Sequence, residues 1–287
     1  LLCSVNASYR EQVALERWRL NSLSYCSQQS LSKMTCPECV PFRTILSEVT
    51  AFSEPSLSLF GFVGLWKEQD LMIVFRASDD DINLIENLSS PILAPFSVCD
   101  GCMASLTYLL MYATIRTRLL SIVLGKLKEH PEAKIHTTGH SLGGVFASFV
   151  AIDLRVNVAH YDYDEFLSSP HSYALFRGLT DVEYAFKPNS PVTRCKMAAH
   201  FIEIASVYTF GMPRIGNEAL ATLIHDRIPH FYRITHGRDL VPLLPPRQFD
   251  FVHTGDEYWY YNDTSLMRCS YPESGYCINS VTSPTRS

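Results

Sequence analysis

Apolar positions fall along this chain in two rhythms. Short runs at 57–65, 71–75, 134–138, 205–210 and 230–235 predict β-strands; Leu71-Met72-Ile73-Val74-Phe75 has no polar member and reads as a strand buried on both faces. Between them the apolar residues take helical spacing. Residues 8–24 predict a first helix. Residues 104–128 predict a long one, with Leu109, Leu110, Tyr112, Ile115, Leu119, Ile122 and Val123 apolar. That helix meets Lys126, Lys128, His130 and Pro131, cations and a proline where helices stop. Further helices are predicted from Leu142 to about Val156 and near 217–226. Strands alternating with helices imply an α/β class, with a mainly parallel central sheet covered by helices on both faces. Residues 159–200 break the rhythm with prolines, serines and no clean period, and read as an atypical insertion in an otherwise single domain.

Composition narrows the classes. The chain has 287 residues, which suits one α/β unit, and 47% hydrophobic with 12% aromatic residues is enough for a sizeable core. A net charge of −5 gives no electrostatic reason to expect a nucleic acid partner. No apolar run reaches the roughly 18 residues of a transmembrane segment. Nine cysteines include the close pairs Cys36/Cys39, Cys99/Cys102 and Cys269/Cys277. Two C-x-x-C knuckles can hold zinc, though here they are far apart for a ribbon; the other reading is disulfides in an oxidising compartment. The sequons at Asn6, Asn87 and Asn262 favour the second reading and a secreted protein. Leu1 to Ala7 read either as the tail of a signal peptide cleaved after Ala7 or as a plain ragged start.

The chemistry centres on Gly139-His140-Ser141-Leu142-Gly143, a G-x-S-x-G match. Such a match arises by chance in about one chain in ten at ordinary glycine and serine frequencies. Its place between a predicted strand and a predicted helix therefore carries more weight than the motif, because a nucleophile elbow needs that turn. Glycines let the backbone turn sharply and keep side chains clear of an approaching carbonyl. The helix start beyond supplies unpaired N–H groups for an oxyanion. A serine hydroxyl also needs a base oriented by a carboxylate. Asp239 follows the strand at 230–235 and precedes Val241-Pro242, on a loop at that strand's C-terminal end, where such sheets gather their reactive groups.

These residues together resemble the fungal-type, class 3 lipase family of the α/β-hydrolases. The similar segments are Thr138 to Gly144, Tyr208-Thr209-Phe210-Gly211-Met212-Pro213-Arg214-Ile215-Gly216-Asn217, Arg233 to Pro246, and Val252 to Tyr260, in family order over roughly 50–280. The resemblance implies hydrolysis of acylglycerol esters through an acyl-enzyme, with Ser141 as nucleophile and Asp239 as the triad carboxylate. It implies no metal or organic cofactor, and a lipid or ester substrate met at a lipid–water interface. Phe75-Arg76-Ala77-Ser78 resembles the family's F-R-G-[ST] signature, so the oxyanion hole maps to Ser78 and Leu142, with Ala77 where a glycine is usual. Ile82 to Leu88 match the lid, with Ile82, Leu84, Ile85 and Leu88 as its apolar contacts. Cys99-x-x-Cys102 resembles a small disulfide loop, and Cys36/Cys39 another. Cys26 resembles an N-terminal cysteine that pairs near the C-terminus, where Cys269 or Cys277 could serve.

Besides Ala77, the sequence departs from the family at two further places. The family's catalytic histidine lies well beyond the Tyr258-Trp259 motif, whereas the only histidine here after Asp239 is His253, at the position of a non-catalytic one. This reads as an incomplete or misjoined C-terminal end, with poor ester hydrolysis expected and His253 as a weak stand-in base. Met103-Ala104-Ser105-Leu106 also matches poorly the segment that precedes the long helix in the family. The alternatives to an acylglycerol lipase are a lipase-like lipid-binding protein without turnover and an esterase on soluble esters.

Overall fold

The computed structural model describes residues 9–77, 90–158 and 202–282. In chain order these form α1 (Glu11–Leu23), α2 (Gln28–Ser32), β1 (Leu46–Glu54), β2 (Leu59–Trp66), β3 (Asp70–Phe75), β4 (Leu93–Pro95), β5 (Met103–Ser105), α3 (Leu106–Glu129), β6 (Ile135–His140), α4 (Leu142–Asp153), β7 (Ile204–Phe210), α5 (Glu218–Arg227), β8 (Phe231–His236), β9 (Asp256–Asn262) and β10 (Ser265–Cys269). Eight strands make one sheet in the order β1-β2-β3-β6-β7-β8-β9-β10, and β4 pairs with β5 alone. The pairings from β3 through β6, β7 and β8 to β9 are parallel, and both flanks are antiparallel. The expected mainly parallel sheet is therefore present, with antiparallel margins that the periodicity did not predict. β1 escaped because its ladder slips between Ser47 and Thr50, with Glu48 at a φ of 50°, which breaks the alternation. β9 escaped because its outer half is exposed, and β10 because none of its residues is buried, so no apolar run marks them.

Helices α3, α4 and α5 share one core with a face of the sheet. The 24 residues of α3 bury Tyr108, Leu109, Tyr112, Ile115, Leu119, Leu120, Val123 and Leu124, a stripe at i, i+3, i+4 spacing. By length and composition α3 could cross a membrane, but this stripe is occupied by the protein's own core. Phe52, Phe75 and Phe146 continue that core through ring contacts of 5.4 and 6.0 Å. On the other face α1 lies across β3, β6 and β7, burying Ala14, Leu20 and Leu23. After Asp153 the chain makes a π-helical turn at Leu154–Val158. The predicted insertion at 159–200 and the lid at Ile82 to Leu88 lie outside the described residues.

The cysteines form disulfides Cys36–Cys39, Cys99–Cys102 and Cys269–Cys277. That overturns the zinc-knuckle reading, since a bonded sulfur has no thiolate to offer a metal. It also corrects the expected partner of Cys26. Cys269 and Cys277 are bonded to each other across the β10 end, and Cys26 is a free thiol that donates to Glu38 at 3.3 Å. Met103–Ser105, the poor family match, forms β5, and its Ser105 N–H is held by the Ile215 carbonyl at 2.9 Å.

One buried ion pair ties α3 to α4. Arg116 donates to both oxygens of Asp153, at 2.6 and 2.9 Å, and Tyr112 and Asn157 donate to the same carboxylate at 3.0 and 2.9 Å. Removing one partner would strand the other charge without solvent. Arg116→Met is therefore expected to lower unfolding stability by about 3–5 kcal/mol in urea titration.

Candidate active site

β6 runs directly into α4 through Ser141, whose backbone sits at φ 52°, ψ −124°. A non-glycine residue held there stores about 1–3 kcal/mol, so the surrounding contacts must enforce it. Two glycines allow the turn. A Cβ on Gly139 would overlap the carbonyl of Gly143, and a Cβ on Gly143 would come 2.5 Å from the Phe75 carbonyl oxygen and 2.7 Å from that of Arg76. The first turn of α4 thus rests directly on the ends of β6 and β3. The Ser141 N–H donates to the Phe210 carbonyl at 2.8 Å, and its own carbonyl accepts the Gly144 N–H at 3.0 Å. Ser141 is 4% exposed, and its Oγ has no hydrogen-bond partner among the described residues. Leu142 is the first residue of α4, so its N–H lies among those that no carbonyl of the helix can reach. The dipole at this helix end adds partial positive charge beside the hydroxyl.

Asp239 is on the loop after β8, at the same C-terminal edge, and is 4% exposed. Its Oδ1 accepts the Val241 N–H at 3.0 Å, while Gly237 is fixed by the Tyr260 carbonyl at 2.7 Å and by Trp259 at 2.9 Å. Gly211, at φ +55°, follows β7 between the two residues; a Cβ there would come 2.9 Å from Asp239 Oδ2 and 3.6 Å from His140 Nε2. β7 alone separates the strands that carry Ser141 and Asp239, a span of roughly 10 Å from strand axis to strand axis. An imidazole hydrogen-bonded at both nitrogens fits a gap of that order. His140 itself turns to the α1 face, where Trp18 stacks edge-on at 5.4 Å, and burial pushes its imidazole below the ordinary range.

His253 is not in that gap. It is 1% exposed beneath the loop after Asp239, with Nε2 2.8 Å from the Pro242 carbonyl. A carbonyl only accepts, so Nε2 carries the proton and Nδ1 is a bare lone pair without a partner among the described residues. Burial, aided by Arg233 and Arg214, pushes this imidazole far below its ordinary value, so it is neutral. It belongs to a clamp. Arg214 donates to Glu273 at 2.7 Å, to the Leu243 and Pro245 carbonyls at 2.6 and 3.0 Å, and to Asn279 at 2.8 Å. Glu273 in turn accepts the His253 N–H at 2.7 Å. Burial pushes the Glu273 carboxyl up, but its neighbours His253, the forked Arg214 and Arg233 together more than reverse this and hold it ionised. The clamp thus fixes the Asp239 loop from below. Arg214 lies in a recognised segment, but nothing in the sequence pointed to Glu273 as its partner.

Of the residues singled out from sequence, Ser141, Leu142 and Asp239 come together at one sheet edge, and His253 is held elsewhere. Ser78 lies outside the described residues; the adjacent Ala77 is buried at the end of the β3 region. Of the sequons, Asn262 is exposed in the β9–β10 turn and accepts from Thr264, while Asn6 and Asn87 fall outside the described residues.

A sheet in this order, with its polar groups gathered beyond the C-terminal ends of the parallel strands, is the α/β-hydrolase fold. The family model described as lipase (class 3) matches residues 72–169 and 191–249, more than half of the chain. The chain belongs to the class 3 lipase family. It is 29% identical over 217 residues to a lipase of Rhizomucor miehei, covering 75% of this chain and 49% of that protein. The chain spans about half the length of the curated relatives it matches. In structure it is similar to lipase II from Rhizopus niveus, with a TM-score of 0.71, 24% identity, and coverage of 94% of this chain and 89% of that one. It is similar also to a triacylglycerol lipase whose catalytic centre is a serine protease triad, with a TM-score of 0.72, 24% identity, and coverage of 96% and 92%.

The clamp has a pH signature. His253 has a folded pKa below the unfolded 6.5, so its contribution is full above about pH 6.5 and declines as the unfolded state takes up the proton below it. Glu273, also depressed, adds a second loss below about pH 4.5. The melting temperature should fall as pH drops from 7 to 5, and fall less steeply in His253→Gln, which keeps a donor for Pro242. Equal slopes in scanning calorimetry would remove His253 from this account.

Proposed function

We propose that this protein hydrolyses acylglycerol esters, with Ser141 as nucleophile, the Leu142 N–H and Ser78 as oxyanion donors, and Asp239 as the carboxylate that orients a histidine. The strained Ser141 at the strand-to-helix turn carries the reading. Ser141 Oγ attacks the ester carbonyl, the tetrahedral oxyanion forms at the start of α4, and an imidazole passes the serine proton to the leaving alcohol. Water then releases the fatty acid by the same route. Asp239 holds the imidazole tautomer with its proton toward the carboxylate. No step calls for a metal or an organic cofactor. The base is not His253, whose protonated nitrogen is committed to Pro242; His160, His171 and His200 lie outside the described residues. Acylglycerol as substrate, presented at a lipid–water interface, is supported by family membership and by the likeness to a triacylglycerol lipase. Secretion is supported by the three disulfides, which persist in an oxidising compartment.

One observation favours a second reading, a lipid-binding protein without turnover. Ser141 Oγ has no hydrogen-bond partner among the described residues.

The test is release of fatty acid from an emulsified acylglycerol. Ser141→Ala should abolish it, Asp239→Asn should reduce kcat by about 10³- to 10⁴-fold, and His253→Gln should leave it within about threefold. Binding of the emulsion with no release by the unmodified protein would favour the second reading.

A further inference from the structure

The opposite edge of the sheet holds a second set of groups that the Ser141 reading does not use. His136 is near the start of β6, Ser206 near the start of β7 and Asp70 at the start of β3. His136 Nδ1 is 2.7 Å from Ser206 Oγ, and His136 Nε2 is 3.2 Å from Asp70 Oδ2. The other Asp70 oxygen accepts the Lys134 N–H at 3.2 Å. The hydrogen bond from His136 is the largest influence drawing the Asp70 carboxyl down, so Asp70 is ionised and can only accept. Nε2 must then carry the proton, which leaves Nδ1 as an acceptor and makes Ser206 the donor. Burial pushes the imidazole down and keeps it neutral, in the state a general base requires.

This juxtaposition depends on an irregularity. Ile135 pairs with Ile204, but His136 pairs with Ser206, so Ala205 is an extra residue at that point of the ladder. Without the slip, His136 would face Ala205 and the serine would turn to the other side of the sheet. Such bulges re-aim side chains, and here the result is a hydroxyl beside an imidazole.

All three residues line a cavity of about 290 Å³ between α1 and the sheet, together with Arg17, Lys67 and Tyr208. Arg17 is 4% exposed and lies 5.0 Å over the Trp66 ring; its Nη1 is 3.5 Å from the Glu16 carboxylate, which lines the same cavity, and its Nε has no hydrogen-bond partner among the described residues. It brings positive charge to the wall of the cavity, as an oxyanion requires.

We propose that Asp70, His136 and Ser206 form a second reactive-serine centre that takes acyl groups from small esters, at the edge of the sheet opposite Ser141. Ser206 Oγ bonds to the ester carbonyl carbon while its proton passes to His136 Nδ1. The carbon–oxygen bond to the alcohol breaks, and His136 returns the proton to the departing alkoxide. Water attacks the acyl-serine by the same relay and releases the carboxylic acid. The cavity, open to solvent on one side, has room for a short acyl group.

The experiment uses the Ser141→Ala protein and a short-chain alkyl fluorophosphonate, read by intact mass and peptide mapping. In this probe the Ser206 oxygen–phosphorus bond forms as fluoride leaves. One adduct is expected, on the peptide that contains Ser206, and none in Ser141→Ala/Ser206→Ala. Adding His136→Gln should slow labelling by about 10²-fold or more, the usual worth of a positioned base. Should that variant fail to fold by circular dichroism, Asp70→Asn in the Ser141→Ala background supplies the same reading, again with slowed labelling. No adduct on the folded Ser141→Ala protein, an adduct only elsewhere, or labelling at an unchanged rate in the folded relay variant would each overturn the proposal.

Discussion

The close approach of the first turn of α4 to the ends of β3 and β6 is the constraint on which the rest of the structure depends. Gly143 lies against the Phe75 and Arg76 carbonyls, and Gly139 against Gly143 itself, so neither position has room for a β-carbon. That approach forces Ser141 into its positive-φ conformation and aims the helix start at its hydroxyl. It also seats α4 on the sheet, where all twelve of its residues are buried. The Ser141 turn and the core are therefore one packing problem.

Polar groups inside this core are handled by pairing. Asp153 is satisfied by Arg116, Tyr112 and Asn157, and on β8 and β9 the register partners Arg233 and Glu257 face one another at 3.2 Å. Arg214 and Glu273 do the same beneath the Asp239 loop. Buried pairs of this kind add little net stability over apolar packing, but breaking one is costly, so they set geometry. Three such pairs surround the loop and helices that carry Ser141 and Asp239. Through Arg214 the last of them ties Glu273 and Asn279, far along the chain, to the carbonyls of Leu243 and Pro245.

The two edges of the sheet differ in how they present a serine. At the C-terminal edge a turn lifts Ser141 out of the ladder and supplies helix N–H groups. At the other edge Ser206 stays within a strand, its hydroxyl reaches the imidazole only through a ladder slip, and positive charge comes from a side chain. Helix N–H groups are preorganised by the fold, whereas the charge of Arg17 is positioned by the packing of α1 against Trp66.

Much of this was legible in the residues. The strand cores at 71–75, 205–210 and 230–235, the stripe of α3 and the G-x-S-x-G turn follow from periodicity and glycine placement, which are local properties of the chain. The same locality placed Ser141, Leu142 and Asp239 at one edge, because in parallel strands the residue after each C-terminus falls on the same side. What locality could not reach was pairing between distant residues. Cys26 looked like a disulfide partner for the C-terminal region until Cys269 and Cys277 closed on each other. His253 remained a weak stand-in base until the fold committed its proton to Pro242. The strands β1, β9 and β10 are held by a bulged ladder and half-exposed faces, which leave no period in the sequence. Asp70, His136 and Ser206 carry no shared motif, and only the register of β6 against β7 makes them neighbours. Periodicity and turn chemistry act within a few residues and were written in the sequence; register, bonding partners and hydrogen-bond direction are set by which surfaces meet, and those the tertiary structure decided.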